Sequence, residues 1–87
     1  MSINDMKLWK IYVKNKLVEI IPMGIESGLV VGWLQGEYGD NNVKFDIMSA
    51  KEMENDEESL NWVNTNYNFF GKRTTESIIN DIKKKLK

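Results

Sequence analysis

The sequence contains neither histidine nor cysteine among its 87 residues. Histidine is the one side chain that changes charge near neutral pH without a special environment, and cysteine is the usual soft nucleophile and zinc ligand. Their absence excludes disulfide bonds, Cys/His zinc sites and most of the catalytic groups found in small active sites. We therefore predict a protein that is not an enzyme, with no catalytic residues, no metal site and no cofactor.

Long hydrophobic runs are also missing. No stretch approaches the roughly 20 consecutive apolar residues that a membrane-spanning helix needs. The segment 1–5 lacks the basic and apolar blocks of a signal peptide. We expect a cytoplasmic protein with no membrane partner. The abundance of lysine, asparagine and isoleucine is typical of AT-rich coding DNA, which indicates a low-GC bacterium or one of its phages.

The composition is that of an ordinary folded domain, with 41% hydrophobic and 29% charged residues. A chain of this length predicts a single domain over residues 1–87. The net charge of −1 conceals a strong segregation, because residues 36–58 carry eight acids and two lysines, whereas residues 72–87 carry six bases and two acids. The pattern predicts an acidic flank and a basic flank.

The first two apolar runs alternate and are rich in β-branched and aromatic residues, which predicts strands over about 8–14 and 17–21. The short polar interruption between them, Asn15-Lys16, predicts a two-residue hairpin turn. In that register Val13 lies opposite Val18, and the alternate residues form one apolar stripe.

The next segment is ambiguous, because its apolar residues fit either a helix or a strand. Glycine recurs every fourth residue from Gly28 to Gly36, and each glycine costs about 1 kcal/mol inside a helix. We therefore predict a strand over about 29–38. A turn over 39–42 then leads into a further strand over about 43–48. Its alternate residues Val43, Phe45 and Ile47 share one face, and Phe45 is predicted to lie in the core.

From Ser49 onwards the apolar period becomes helical. Ser49 and Glu52 have the spacing of a capping box, as do Asn55 and Glu58. We predict a short helical turn after Ser49 and helices over about 56–70 and 75–86. The predicted fold is α+β: a four-stranded antiparallel sheet, made of two hairpins, with two C-terminal helices packed on one face.

Such a fold leaves the second face of the sheet uncovered, and that face is more apolar than a solvated surface requires. The predicted function is a non-enzymatic protein-binding module, such as a small inhibitor or adaptor of the phage or mobile-element type. The acidic residues Glu54, Asp56, Glu57 and Glu58, which we call the acidic run, lie near a predicted helix start. They would orient a basic or nucleic-acid-binding protein partner, although acids at that position also have a purely structural explanation. The predicted partner-binding residues are Tyr12, Leu17, Ile21, Val31, Trp33, Met48, Glu54, Asp56, Glu57 and Glu58.

Two alternatives remain open. One is a small nucleic-acid-binding module, in which Tyr12 and Trp33 stack on bases and the C-terminal lysines contact phosphates. The other is a structural subunit that forms homo-oligomers, most simply a homodimer. The nucleic-acid contacts predicted under the first alternative are Lys72, Arg73, Lys83, Lys84 and Lys85.

Overall fold

The computed structural model describes residues 6–66 and 74–86. This part of the chain forms three β-strands and four α-helices, so the α+β class and the antiparallel sheet are confirmed, while the predicted four-stranded sheet with two helices is wrong. The strands are β1 (Lys7–Val13), β2 (Lys16–Pro22) and β3 (Val43–Ser49); the helices are α1 (Ile25–Tyr38), α2 (Ala50–Met53), α3 (Glu57–Thr65) and α4 (Thr75–Lys85).

The sheet has the order β2-β1-β3, with both neighbours antiparallel to the central strand β1. The first hairpin turns at Lys14 and Asn15, whose φ angles of 52° and 68° lie in the left-handed region. Positive φ at both central residues is typical of the type I′ turn that suits the twist of a two-residue hairpin. The predicted turn at Asn15-Lys16 is therefore wrong by one residue.

The register of this hairpin also differs from the prediction. Ile11 lies opposite Glu19 and Tyr12 lies opposite Leu17, so that Val18 is an extra residue in a β-bulge. Val18 is nevertheless fully buried. The turn lies one residue earlier than predicted, and the extra residue in the bulge compensates for that shift. Val18 therefore still lies in the core.

The segment predicted as a third strand is the 14-residue helix α1. Its buried residues recur at the i, i+3, i+4 and i+7 spacing of one helical face, and the glycines lie on the exposed side. Burial of that face outweighs the helix-propensity cost of the glycines, which is why the propensity argument failed. The buried residues of α1 are Ser27, Val30, Val31 and Leu34.

Helices pack on both faces of the sheet, so the expectation of one uncovered face is wrong. On one face, α1 and α4 enclose the larger core around Ile11. On the other face, Trp62 of α3 packs with Leu8 and Ile20. The larger core comprises Ile11, Val13, Val18, Ile21, Val30, Val31, Leu34, Val43, Ile78 and Ile82.

The predicted helix starts at Ser49 and near Thr75 agree with the structure, whereas α3 is capped by Asp56 and not by Asn55. Ser49 and Glu52 form the capping box of α2, with Ser49 Oγ accepting from the Glu52 amide at 3.1 Å. The Thr74 side chain caps α4 by accepting from the Ser77 amide at 3.1 Å. The predicted helix over 56–70 is α3 as far as Thr65, and positions 67–70 lie outside the described residues. No helix in the described ranges has the length and apolar character needed to cross a bilayer.

Candidate contact surface

The residues predicted to bind a partner through the sheet are not brought together on one surface. Ile21 and Val31 are buried in the larger core, at 4% and 6% exposure. Leu17 is half-buried against the Trp62 cluster. Met48 is half-buried and accepts a weak 3.9 Å hydrogen bond from Ser59. A partner could reach few of these side chains because the helices cover both sheet faces.

The acidic run divides into an inward pair and an outward pair. Lys10 Nζ lies 2.7 Å from Asp56 Oδ2 and 2.9 Å from Glu58 Oε1, and the Tyr12 hydroxyl donates to Glu58 Oε1 at 2.6 Å. Asp56 is also the N-cap of α3. These contacts fasten the start of α3 to β1. The outward members of the run, Glu54 and Glu57, are exposed to solvent.

The side chains around Lys10 each keep one protonation state across the neutral pH range. Burial acts to lower the pKa of Lys10, but the hydrogen bonds to Asp56, Tyr12 and Glu58 outweigh it and raise the pKa above its ordinary value. Burial, followed by the hydrogen bond to Glu58, raises the pKa of Tyr12. Lys10 therefore stays protonated and Tyr12 stays neutral far above neutral pH.

The two carboxylates of the cluster shift in the opposite direction. The hydrogen bond from Lys10, followed by that from Ser59, lowers the pKa of Asp56. The hydrogen bond from Tyr12, followed by that from Lys10, lowers the pKa of Glu58. Groups that keep one protonation state across the neutral range are poor general acids and bases. The cluster is suited to holding α3 in place.

Two of the C-terminal lysines make contacts within the chain. Lys83 Nζ lies 5.1 Å from the centre of the Trp33 ring, and Lys85 Nζ lies 4.7 Å from that of Trp62. Lys85 Nζ also donates to the Val18 carbonyl at 3.3 Å. The other predicted phosphate contacts are the exposed Lys84 and, outside the described residues, Lys72 and Arg73.

The outer face of α1 is the most exposed apolar surface of the helices. Ile25 is 80% exposed and Leu29 is 56% exposed, one turn apart on the same face. A Cβ added at any of the glycines in this helix would meet no atom within 4 Å, apart from the helix itself and its chain neighbours. We call this surface the α1 outer face; it consists of Ile25, Gly28, Leu29, Gly32 and Gly36. Sequence reasoning missed it because the segment was predicted to be a strand.

A second exposed apolar surface lies on β3, on the sheet face that α1 covers. Phe45 and Ile47 are 41% and 49% exposed, although Phe45 was predicted to be core. The Phe45 ring stacks on Trp9 with a centroid distance of 4.5 Å and an interplanar angle of 13°. The alternation of β3 was interpreted correctly, but the strand lies at the sheet edge, where its apolar side chains reach solvent.

Comparison with protein-family models, curated proteins and solved structures finds no significant match to this chain. Within residues 6–66 and 74–86, no three acidic side chains are grouped so that they could hold a metal ion. The exposed apolar surfaces and the charges beside them are the features of the described chain that are suited to contact with a partner.

Proposed function

We propose that this chain is a non-enzymatic protein-binding module that binds a basic amphipathic helix on the α1 outer face. The observation that carries the proposal is the exposure of Ile25 and Leu29, at 80% and 56%. Large apolar side chains placed side by side on a helix, with no covering element in the described part of the chain, are typical of a contact surface. Helix-on-helix docking uses such i and i+4 anchors.

The glycines of α1 support a helical partner. Each of Gly28, Gly32 and Gly36 weakens an isolated helix by about 1 kcal/mol relative to alanine. Packing within the described chain does not require them, because the space beside each is open. Glycine at this spacing removes side chains along one line of the helix and allows another backbone to approach closely.

The charges of α1 indicate the sign of the partner. Its only charged residues are Glu26 and Glu37, and both are exposed. A partner helix with lysine or arginine beside its apolar stripe would complement them, and such complementarity speeds association and rejects acidic competitors. In this proposal the orienting charge lies on α1 and not on the acidic run, because Asp56 and Glu58 pair with Lys10.

The test is a titration of ¹⁵N-labelled protein with a synthetic helical peptide that has leucine on one face and lysine on the other. We expect weak binding, with a Kd of about 10–100 μM. The amide shifts should concentrate at Gly28, Gly32 and Gly36. The same peptide with glutamate in place of lysine should bind at least about tenfold more weakly.

Matched variants locate the binding surface. Replacing Ile25 and Leu29 together with glutamine should abolish binding of the lysine peptide. Leu60→Gln is the control, since Leu60 is 40% exposed on α3 and lies away from the proposed site. Equal binding of the lysine and glutamate peptides, or amide shifts centred on α3, would show that the α1 outer face is not the binding site.

The nucleic-acid alternative has less support, because Lys83 and Lys85 already contact tryptophan rings within the chain. Its test is a fluorescence titration with single-stranded DNA at two salt concentrations. Tight binding that weakens steeply with salt, and that is lost when Lys84 and Lys85 are changed to glutamine, would favour this alternative over the protein-binding proposal.

A further inference from the structure

Strand β3 has an open edge in the described part of the chain, because the sheet order places it beside β1 alone. The hydrogen bonds that flank its ladder join the Ala50 amide to the Met6 carbonyl and the Lys14 amide to the Asn42 carbonyl. Hydrogen-bonded and non-bonded pairs alternate along an antiparallel ladder. The even-numbered residues of β3 therefore bond to β1, and the odd-numbered residues direct their N–H and C=O groups outward. The outward set is Val43, Phe45, Ile47 and Ser49. The Val43 N–H already bonds to the Asp40 carbonyl and the Ser49 N–H to Glu52 Oε1, so the outward donors available to a second strand are those of Phe45 and Ile47.

We propose that two copies of this chain associate by antiparallel pairing of their β3 strands, with the two-fold axis between Phe45 and the second copy's Phe45. The outward N–H and C=O groups of the two phenylalanines would bond to one another. Val43 would lie opposite the second copy's Ile47, and its carbonyl would accept from the second copy's Ile47 N–H, because the Val43 N–H bonds to the Asp40 carbonyl. The result is a continuous six-stranded sheet, and exposed unpaired edges are the usual template for such pairing. This interface is separate from the α1 outer face.

The charges of β3 select this register. With Phe45 opposite its own copy, Lys44 lies opposite the second copy's Asp46, and the symmetry repeats this pair. Sliding one strand by two residues keeps the outward groups opposite one another. A slide in one direction would place Lys44 opposite the second copy's Lys44, and a slide in the other direction would place Asp46 opposite the second copy's Asp46. Opposite charges facing one another across two strands stabilise the pair, whereas like charges destabilise it. The strand is thus self-complementary in one register.

The exposed apolar residues of β3 agree with the same arrangement. Phe45 and Ile47 lie on one face of the strand, and both are more than 40% exposed in the single chain. In the proposed dimer each would gain an apolar cross-strand neighbour from the second copy. Cross-strand aromatic pairs of this kind are among the favourable contacts of antiparallel sheets. Trp9, stacked on Phe45, holds the ring in position beside the axis.

The experiment is sedimentation velocity over a concentration series, using charge reversal at the two charged positions. Lys44→Asp creates two facing acid pairs, and Asp46→Lys creates two facing lysine pairs. Each single variant should weaken the dimer by about 5- to 30-fold. A mixture of the two single variants should form a heterodimer about as tight as the wild-type dimer, because every facing pair is then opposite in charge.

Two measurements distinguish the loss of the dimer from the loss of the fold. Circular dichroism should show that both single variants retain the wild-type fold, since both positions are exposed, and their heterodimer rescue would be impossible for unfolded chains. Amide exchange at Phe45 and Ile47 should slow as the wild-type concentration rises. A wild-type chain that stays monomeric up to about 1 mM would overturn the proposal. Single variants that dimerise normally, or a dimer broken by Ile25→Lys instead, would do the same.

Discussion

Replacing Lys10 with methionine should destabilise the fold, because the ammonium group of Lys10 joins the sheet to α3. The residue is 4% exposed, and its Nζ contacts Asp56 and Glu58 at 2.7 and 2.9 Å. Methionine keeps most of the apolar stem but removes the charge. The two carboxylates would then face each other without a cation.

The expected loss in the free energy of unfolding lies between the values for surface ion pairs and those for buried ion pairs. Breaking a fully buried pair costs about 3–5 kcal/mol, and an exposed pair contributes about 0–1 kcal/mol. The lysine is buried, but the side chains of Asp56 and Glu58 are 31% and 55% exposed. Water can therefore solvate the carboxylates after the change. We expect a loss of about 2 kcal/mol in the free energy of unfolding.

The assay is urea denaturation at neutral pH, followed by circular dichroism in dilute protein. Lys44→Met is the matched control, because Lys44 is an exposed lysine on the neighbouring strand, directly opposite Tyr12. The control should change the free energy of unfolding by less than about 0.5 kcal/mol. Equal effects of Lys10→Met and Lys44→Met would refute the argument that the Lys10 cluster fastens α3 to the sheet.

Lowering the pH should remove the difference in the free energy of unfolding between Lys10→Met and the wild type. The pKa values of Asp56 and Glu58 are lowered in the folded protein from ordinary values of 3.8 and 4.5. Groups with lowered pKa values stabilise the fold above their unfolded pKa, and that contribution is lost as the pH falls through the folded pKa. A difference in stability that stayed the same from about pH 7 to about pH 2.5 would contradict the ion-pair explanation.

Four further changes test the fold by denaturant or thermal melts. Ile82→Ala should cost about 2–5 kcal/mol, since the side chain is fully buried between α4 and the sheet; a loss under about 0.5 kcal/mol would place it outside the core. Gly32→Ala should stabilise the protein by about 0.5–1 kcal/mol because the space beside it is open, whereas Gly39→Ala should destabilise it, because Gly39 has a φ of +88°. Changing Glu54 and Glu57 together to glutamine should move the melting temperature little, and a large drop would show that these outward acids also hold α3.

The candidate surfaces could be predicted only in part. The sequence identified the acidic run, but it could not show that Asp56 and Glu58 contact Lys10, because these partners are 46 and 48 residues apart. The α1 outer face had one signal in the sequence, the regular spacing of its glycines beside Ile25 and Leu29. That signal is visible only if the segment is assumed to be a helix.

Local chemistry in the sequence determined the α+β class, the presence of the first hairpin but not its turn or register, β3, and the starts of α2 and α4. Alternation, turn residues and capping side chains act over a few neighbouring residues, so they can be interpreted without the fold. The tertiary structure alone determined that α1 is a helix, that helices cover both sheet faces, and that β3 lies at an open edge. The physical reason is that burial of Val30, Val31 and Leu34 against a distant part of the chain contributes more free energy than the local cost of three helical glycines.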